Sequence, residues 1–133
     1  MFKKASLSIL VVLISCFNFV VLANPISPRL LYTSSANSDL TITANTANCK
    51  SVVTGYMGQT TKIEVEQILE KETSTNNWVE VKTWTTTVYS YKISFTNEKS
   101  KLSSGKYRVT TIAKVYVGDN FEQTTTHSTE TVV

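Results

Sequence analysis

Apolar and polar residues alternate with period two along much of the chain, most clearly over residues 104–118. Side chains of a strand point to opposite faces in turn. One row here reads Tyr107, Val109, Thr111, Ala113, Val115 and Val117, and the other reads Arg108, Thr110, Ile112, Lys114 and Tyr116. The first row suits a core and the second suits water, the pattern of a half-buried antiparallel strand. Gly105 and Gly118 bracket the stretch as turn residues.

The same reading places strands over residues 40–44, 49–56, 78–87, 89–96 and 121–131. Residues 61–71 fit two templates. Ile63, Val65, Gln67 and Leu69 form a strand row, whereas Val65, Ile68 and Leu69 would also share a helix face. A strand is expected, because its neighbours are strands and local choices should agree with the global fold. In residues 78–87, Val79 and Val81 fall on the row opposite Trp78 and Trp84, so burying all of them on one face requires a bulge. Seven short strands separated by turns predict an all-β, seven-stranded antiparallel immunoglobulin-like β-sandwich. Its domain would occupy residues 40–133, after a Pro- and Ser-containing extended arm over residues 24–39.

Residues 1–23 carry the three parts of a secretory signal peptide: Lys3 and Lys4, an apolar run, and a small-x-small site ending at Ala23. The run includes Asn18 and is short for a bilayer span, so cleavage rather than a retained anchor is expected. Leu13-Ile14-Ser15-Cys16 resembles a bacterial lipobox, and lipidation at Cys16 is the alternative. The residues after Cys16 stay apolar, unlike a polar tether. The product is therefore expected to be secreted, with a membrane association only if Cys16 is lipidated.

Charge narrows the choice of partners. Removing Lys3 and Lys4 from 13 basic side chains leaves 11 against 10 acidic, a net charge of +1. Nucleic-acid binding would need a basic stripe, so no nucleic-acid partner is expected. A domain of ~95 residues buries roughly 60–65% of its unfolded surface, enough for one modest core.

The pattern Cys49, Thr54-Gly55-Tyr56, Thr61-Lys62-Ile63, Trp84, Ser104-Gly105-Lys106-Tyr107-Arg108-Val109, Val115-Tyr116 and Gly118 resembles a family of small exported proteins of Gram-positive bacteria with a domain of unknown function. The resemblance covers residues 26–128. It implies a signal peptide, a short arm and one strand-rich domain, and it brings no active-site residues. Residues 102–109 also loosely resemble the entry into a fibronectin type III strand, with Ser104 at the position of a Pro. An early strand tyrosine such as Tyr107 is the residue that makes a tyrosine corner in such sandwiches.

Candidate chemistry is sparse. Cys49 is the one thiol left after cleavage, and Val109 stands where an immunoglobulin disulfide would need its second cysteine. It is expected to be an unpaired thiol packed as a small hydrophobe, with an intermolecular disulfide as the alternative. His127 is the only histidine, too few ligands for a metal site. Glu64 and Glu66 would lie ~7 Å apart on one strand face, within the range of glycosidase carboxylates, though such rows are common on solvated sheets. Tyr56, Trp78, Trp84 and Tyr116 are the binding candidates, aromatics in excess of what one small core holds. No cofactor is expected. The reading is a non-enzymatic binding or structural module at the envelope or outside the cell, its partner an unknown protein or glycan at the cell surface. A secreted antagonist or toxin-like protein is the alternative, and a hydrolase using the Glu row is a third.

Overall fold

A computed structural model describes residues 30–133. The expected leader, its Cys16 and the start of the arm lie outside the described residues. The chain forms β1 (Ser35–Thr43), β2 (Thr46–Thr54), β3 (Lys62–Ser74), β4 (Asn77–Val88), β5 (Lys92–Lys99), β6 (Lys106–Val117), β7 (Asn120–His127) and the two-residue β8 (Thr131–Val132). All pairings are antiparallel. One sheet has the order β1-β2-β5 and the other β4-β3-β6-β7, with β8 continuing beside β6 where β7 ends. The two sheets pack face to face as an antiparallel β-sandwich, with eight strands among the described residues where seven were expected.

The ambiguous stretch is a strand, as its neighbours required. Ile63, Val65, Gln67 and Leu69 are all buried, so the period-two row is the one that faces the core. β6 likewise buries Tyr107, Val109, Thr111, Ala113 and Val115. A bulge does sit in the β3–β4 ladder, where the register shifts between Leu69 and Glu70, but it does not bring Trp78, Val79, Val81 and Trp84 to one buried face. It turns Val81 and Trp84 toward the core and leaves Trp78 on the outer face.

Several boundaries move. β1 begins at Ser35 rather than at residue 40, so the second half of the expected arm is sheet: Ser35–Asp39 pair with Lys50–Thr54 through polar residues that carry no apolar alternation. Ala44 and Asn45, with φ of 51° and 60°, form the two-residue β1–β2 turn, the left-handed pair that matches strand twist. Tyr89 to Tyr91 connect the sheets instead of opening β5, a turn without the usual Gly or Pro signal. The expected last strand divides at Ser128, whose hydroxyl accepts the Val109 N–H at 2.8 Å and interrupts the ladder.

Tyr107 makes the expected corner: its hydroxyl donates to the Ser103 carbonyl at 2.8 Å, tying the β5–β6 connection to the start of β6. Leu102 plugs the core beside it. The interior is divided in two. Leu40, Ala47, Cys49, Leu69, Leu102, Tyr107 and Val109 form one apolar cluster, and Val53, Ile63, Val65, Ala113 and Val115 form the other.

Between them runs a hydrogen-bonded belt. Ser38 Oγ lies 2.7 Å from Thr126 Oγ1 and donates to Thr111 Oγ1 at 2.6 Å. Thr111 Oγ1 lies 2.7 Å from Ser51 Oγ. Gln67 Nε2 donates to Ser51 Oγ at 2.8 Å and to the Phe95 carbonyl at 3.0 Å, and Gln67 Oε1 accepts from Asn97 Nδ2 at 2.9 Å. Six strands thus meet in one polar layer. Gln67→Leu leaves the Asn97 amide and the Phe95 carbonyl short of a partner, and should destabilise by ~1–3 kcal/mol. Thermal unfolding followed by circular dichroism should show the midpoint falling by about 4–8 °C per kcal/mol; an unchanged midpoint would show that the belt adds nothing to stability.

Candidate functional site

Four connections decide where the exposed apolar side chains gather. The β2–β3 loop, the β4–β5 connection and the β6–β7 turn all lie at one end of the sandwich, and the segment entering β1 runs beside them. Gly55 starts the first loop, where an added Cβ would clash with the Thr60 side chain. Thr60 Oγ1 in turn accepts the Tyr56 N–H at 2.8 Å, and the Tyr56 carbonyl accepts the Gln59 and Thr60 N–H groups. Gly118, with φ of 62°, makes the β6–β7 turn at its first central position.

Among the described residues the exposed large apolar side chains are Leu30, Leu31, Tyr56, Met57, Val79, Tyr89, Phe121 and Val132, and all but Val79 and Val132 sit at this end. Tyr89 is 83% exposed and Met57 74%. Tyr116 stacks on Phe121 with ring centroids 5.1 Å apart, and Lys62 Nζ lies 4.1 Å from the Tyr116 ring centre. A hydrogen bond to Glu64, reinforced by the fields of Glu64, Tyr116 and Tyr89, raises the Lys62 pKa against the opposing effect of burial. The lysine thus lies between the Glu64 carboxylate and the face of the Tyr116 ring.

The entering segment is fixed by one carboxylate. Glu122 Oε2 accepts the Leu31 N–H at 2.7 Å, and Oε1 accepts the Tyr32 and Thr33 N–H groups at 3.2 and 2.9 Å. Burial pushes the Glu122 carboxyl up, but the hydrogen bonds from Leu31, Thr33 and Tyr32 outweigh it, so its pKa is lowered. The clamp holds Tyr32 against the cluster that contains Val53 and Ile63.

The four aromatic candidates part company here. Tyr56 and Tyr116 belong to the loop end. Trp78 lies on the outer face of the larger sheet, half-buried, with the Arg108 guanidinium 4.2 Å from its ring. Trp84 is corrected: it points inward from β4 and packs, half-buried, against the cluster of Leu40 and Leu69, so it lines the rim of the core and does not stand on the outer face. Its row was misjudged because Trp78 and Trp84 share parity in the sequence, and the bulge puts them on opposite faces. Tyr89 and Phe121 were missed as surface residues because alternation extends through them.

The Glu row faces solvent on the outer side of the larger sheet. Glu64 and Glu66, with Thr85, Thr87, Ile112 and Lys114, line a depression of about 180 Å³, below the volume of about 300–1,000 Å³ usual for small-molecule pockets. Glu64 pairs with Lys62 at 3.2 Å. Further along this face a chain of contacts joins His127, Thr110, Glu70 and Arg108: Thr110 donates to Glu70, His127 Nδ1 lies 2.8 Å from Thr110 Oγ1, and Arg108 Nε donates to Glu70 at 3.0 Å. The Thr110 hydroxyl gives its one hydrogen to Glu70. That hydroxyl is buried and fully engaged, unlike an activated nucleophile.

Cys49 sits between the sheets with no exposed surface, far from His127 on the outer face. Burial pushes its thiol pKa up to about 12. Such a thiol is a packing group and not a nucleophile. Comparison with family models, curated proteins and solved structures finds no match.

Two outcomes are expected. At pH 8 a thiol-specific reagent should leave Cys49 unmodified in the folded protein and react with it in denaturant; rapid modification of Cys49 in the native protein would contradict its burial. The Glu122 clamp should be intact above the ordinary carboxylate range and be lost as pH falls through its lowered pKa, because a depressed folded-state pKa stabilises only the ionised form. The protection of the Leu31–Thr33 amides, taken against the intrinsic exchange rate at each pH, should therefore fall at low pH in the native protein. Glu122→Gln should lower it already at pH 7, by roughly tenfold, the equivalent of ~1.4 kcal/mol.

Proposed function

We propose that this chain is an exported, non-enzymatic binding module that contacts a protein or glycan at or beyond the cell envelope through its loop end. The concentration of exposed Tyr56, Met57, Tyr89 and Phe121 at that end, with Lys62 against the neighbouring Tyr116 ring, is the observation that carries the reading. Loops on a rigid sandwich are the usual place for recognition residues. Tyrosine gives large contact area at low cost in conformational entropy, with a hydroxyl for orientation. Lys62 adds a cationic donor beside the Tyr116 ring.

The outer sheet faces support this choice by contrast. Arg108 and Glu70 are already paired across β6 and β3, and the depression beside Glu64 and Glu66 is smaller than a small-molecule pocket. The export half of the reading rests on the Lys3–Ala23 leader pattern.

Pull-down of isolated cell-wall material and a glycan array supply the test. Tyr56→Ala with Tyr89→Ala should weaken retention at least ~10-fold, the loss expected when aromatic anchors are truncated, while leaving the unfolding midpoint unchanged. Trp84→Ala should do the reverse, lowering the midpoint by way of a cavity of its own. Retention insensitive to the tyrosines, or none at all, would end the proposal.

A further inference from the structure

We infer that the second half of β4 is a pairing edge, and that its occupant is β4 of a second copy of this chain. β4 is the outermost strand of its sheet, hydrogen-bonded to β3 alone. An unpaired edge is a template for another strand unless charge, proline or a bulge blunts it. The first half of β4 is blunted by the bulge opposite Leu69 and by Glu80 and Lys82. The second half is not. Thr83 to Tyr91 is a run of nine residues with no charge, glycine or proline, rich in β-formers. The other edges differ: β5 carries Lys92, Glu98 and Lys99, β7 carries Glu122 and His127 under the entering segment, and Asp39 interrupts β1, which packs across β6 and β7.

Burial along the same flank points the same way. Trp84, Thr86 and Val88 face inward opposite Gln67, Val65 and Ile63, which are fully or almost fully buried, yet these three stay half-exposed. Ile93 and Phe95 on β5, the edge of the opposing sheet, are half-exposed as well. The β1/β7 flank is closed by packing of the two sheets, and the β4/β5 flank is open at its rim.

The occupant follows from self-complementarity. Opposite residues of an antiparallel pair point to the same face, so a two-fold axis must pass through a residue. With the axis at Thr86, Thr85 meets Thr87 of the second copy on the outer face, and Trp84 meets Val88 on the inner face. Threonine pairs and aromatic–β-branched pairs are the favourable cross-strand combinations, and no like charges face one another. The result is one sheet of doubled width, β7-β6-β3-β4 followed by β4-β3-β6-β7. Antiparallel pairing also turns the two loop ends in opposite directions, so the pair is built to bridge two targets instead of gripping one.

Thr85 and Thr87 are exposed, which makes them safe positions for a test. Sedimentation velocity of the purified protein from about 5 to about 500 μM should show the mass rising from one chain to two, the weak association expected of a small interface. Amides of Thr83–Val88 should gain protection only at the high end. Thr85→Lys with Thr87→Lys places ammonium groups opposite one another and should weaken the association at least ~10-fold with an unchanged unfolding midpoint. Thr85→Lys with Thr87→Glu restores attraction across the axis and should recover it. A single-chain mass at every concentration overturns the inference, as does protection gained elsewhere. So does a pair indifferent to both variants, a charge swap that fails to rescue, or an extended segment of another protein held at this edge in place of the second copy.

Discussion

The belt of hydrogen bonds from Thr126 through Ser38, Thr111, Ser51 and Gln67 to Asn97 fixes how the two sheets meet. Apolar alternation alone does not. A strand that slips by one residue turns its apolar row to water, and that error is costly. A slip of two residues keeps the apolar row inside. Here such a slip would set Gln67 or Thr111 against Val and Ile with nothing to bond, at a cost of ~1–3 kcal/mol for each stranded group. The belt therefore distinguishes the native register from its nearest rivals, while the apolar clusters on either side supply the burial.

With the register fixed, the ends of the strands have no freedom left. The Tyr107 corner and the Leu102 plug close one end of the sandwich over the cluster that contains Cys49. The other end is closed differently, by the Glu122 carboxylate drawing the Leu31–Thr33 backbone across the second cluster. This second closure leaves Tyr56, Met57, Tyr89 and Phe121 in the connections outside the core. A compact scaffold with aromatics on loops at a single end is a common way for a sandwich to bind through its tip.

The two flanks are unequal for a related reason. β1 lies across β6 and β7, whereas the bulge in β4 swings half of that strand away from regular pairing. What remains, Thr83 to Val88, is regular, uncharged and half-covered, and the inferred contact between two copies uses that strand. The β4 edge runs into the loop end at Tyr89, so recognition and association border one another there.

The amino-acid order by itself determined the class of fold. Period-two rows, the paucity of helix formers after residue 23 and the Gly-x-Tyr entry into β6 are local signals, because the alternation of side chains along a strand is a local property. It also indicated that a bulge was needed near the tryptophans. It could not say on which side of that bulge each ring would fall, so Trp84 was read as surface and Tyr89 as strand. Nor could it foresee Ser35–Asp39 as sheet, since those residues pair through their backbone and carry no apolar rhythm. Tertiary structure alone decided the belt, the Glu122 clamp and the loop-end cluster. Each joins residues roughly 15 to 90 positions apart, and a contact of that kind arises from how layers stack and not from any neighbour along the chain.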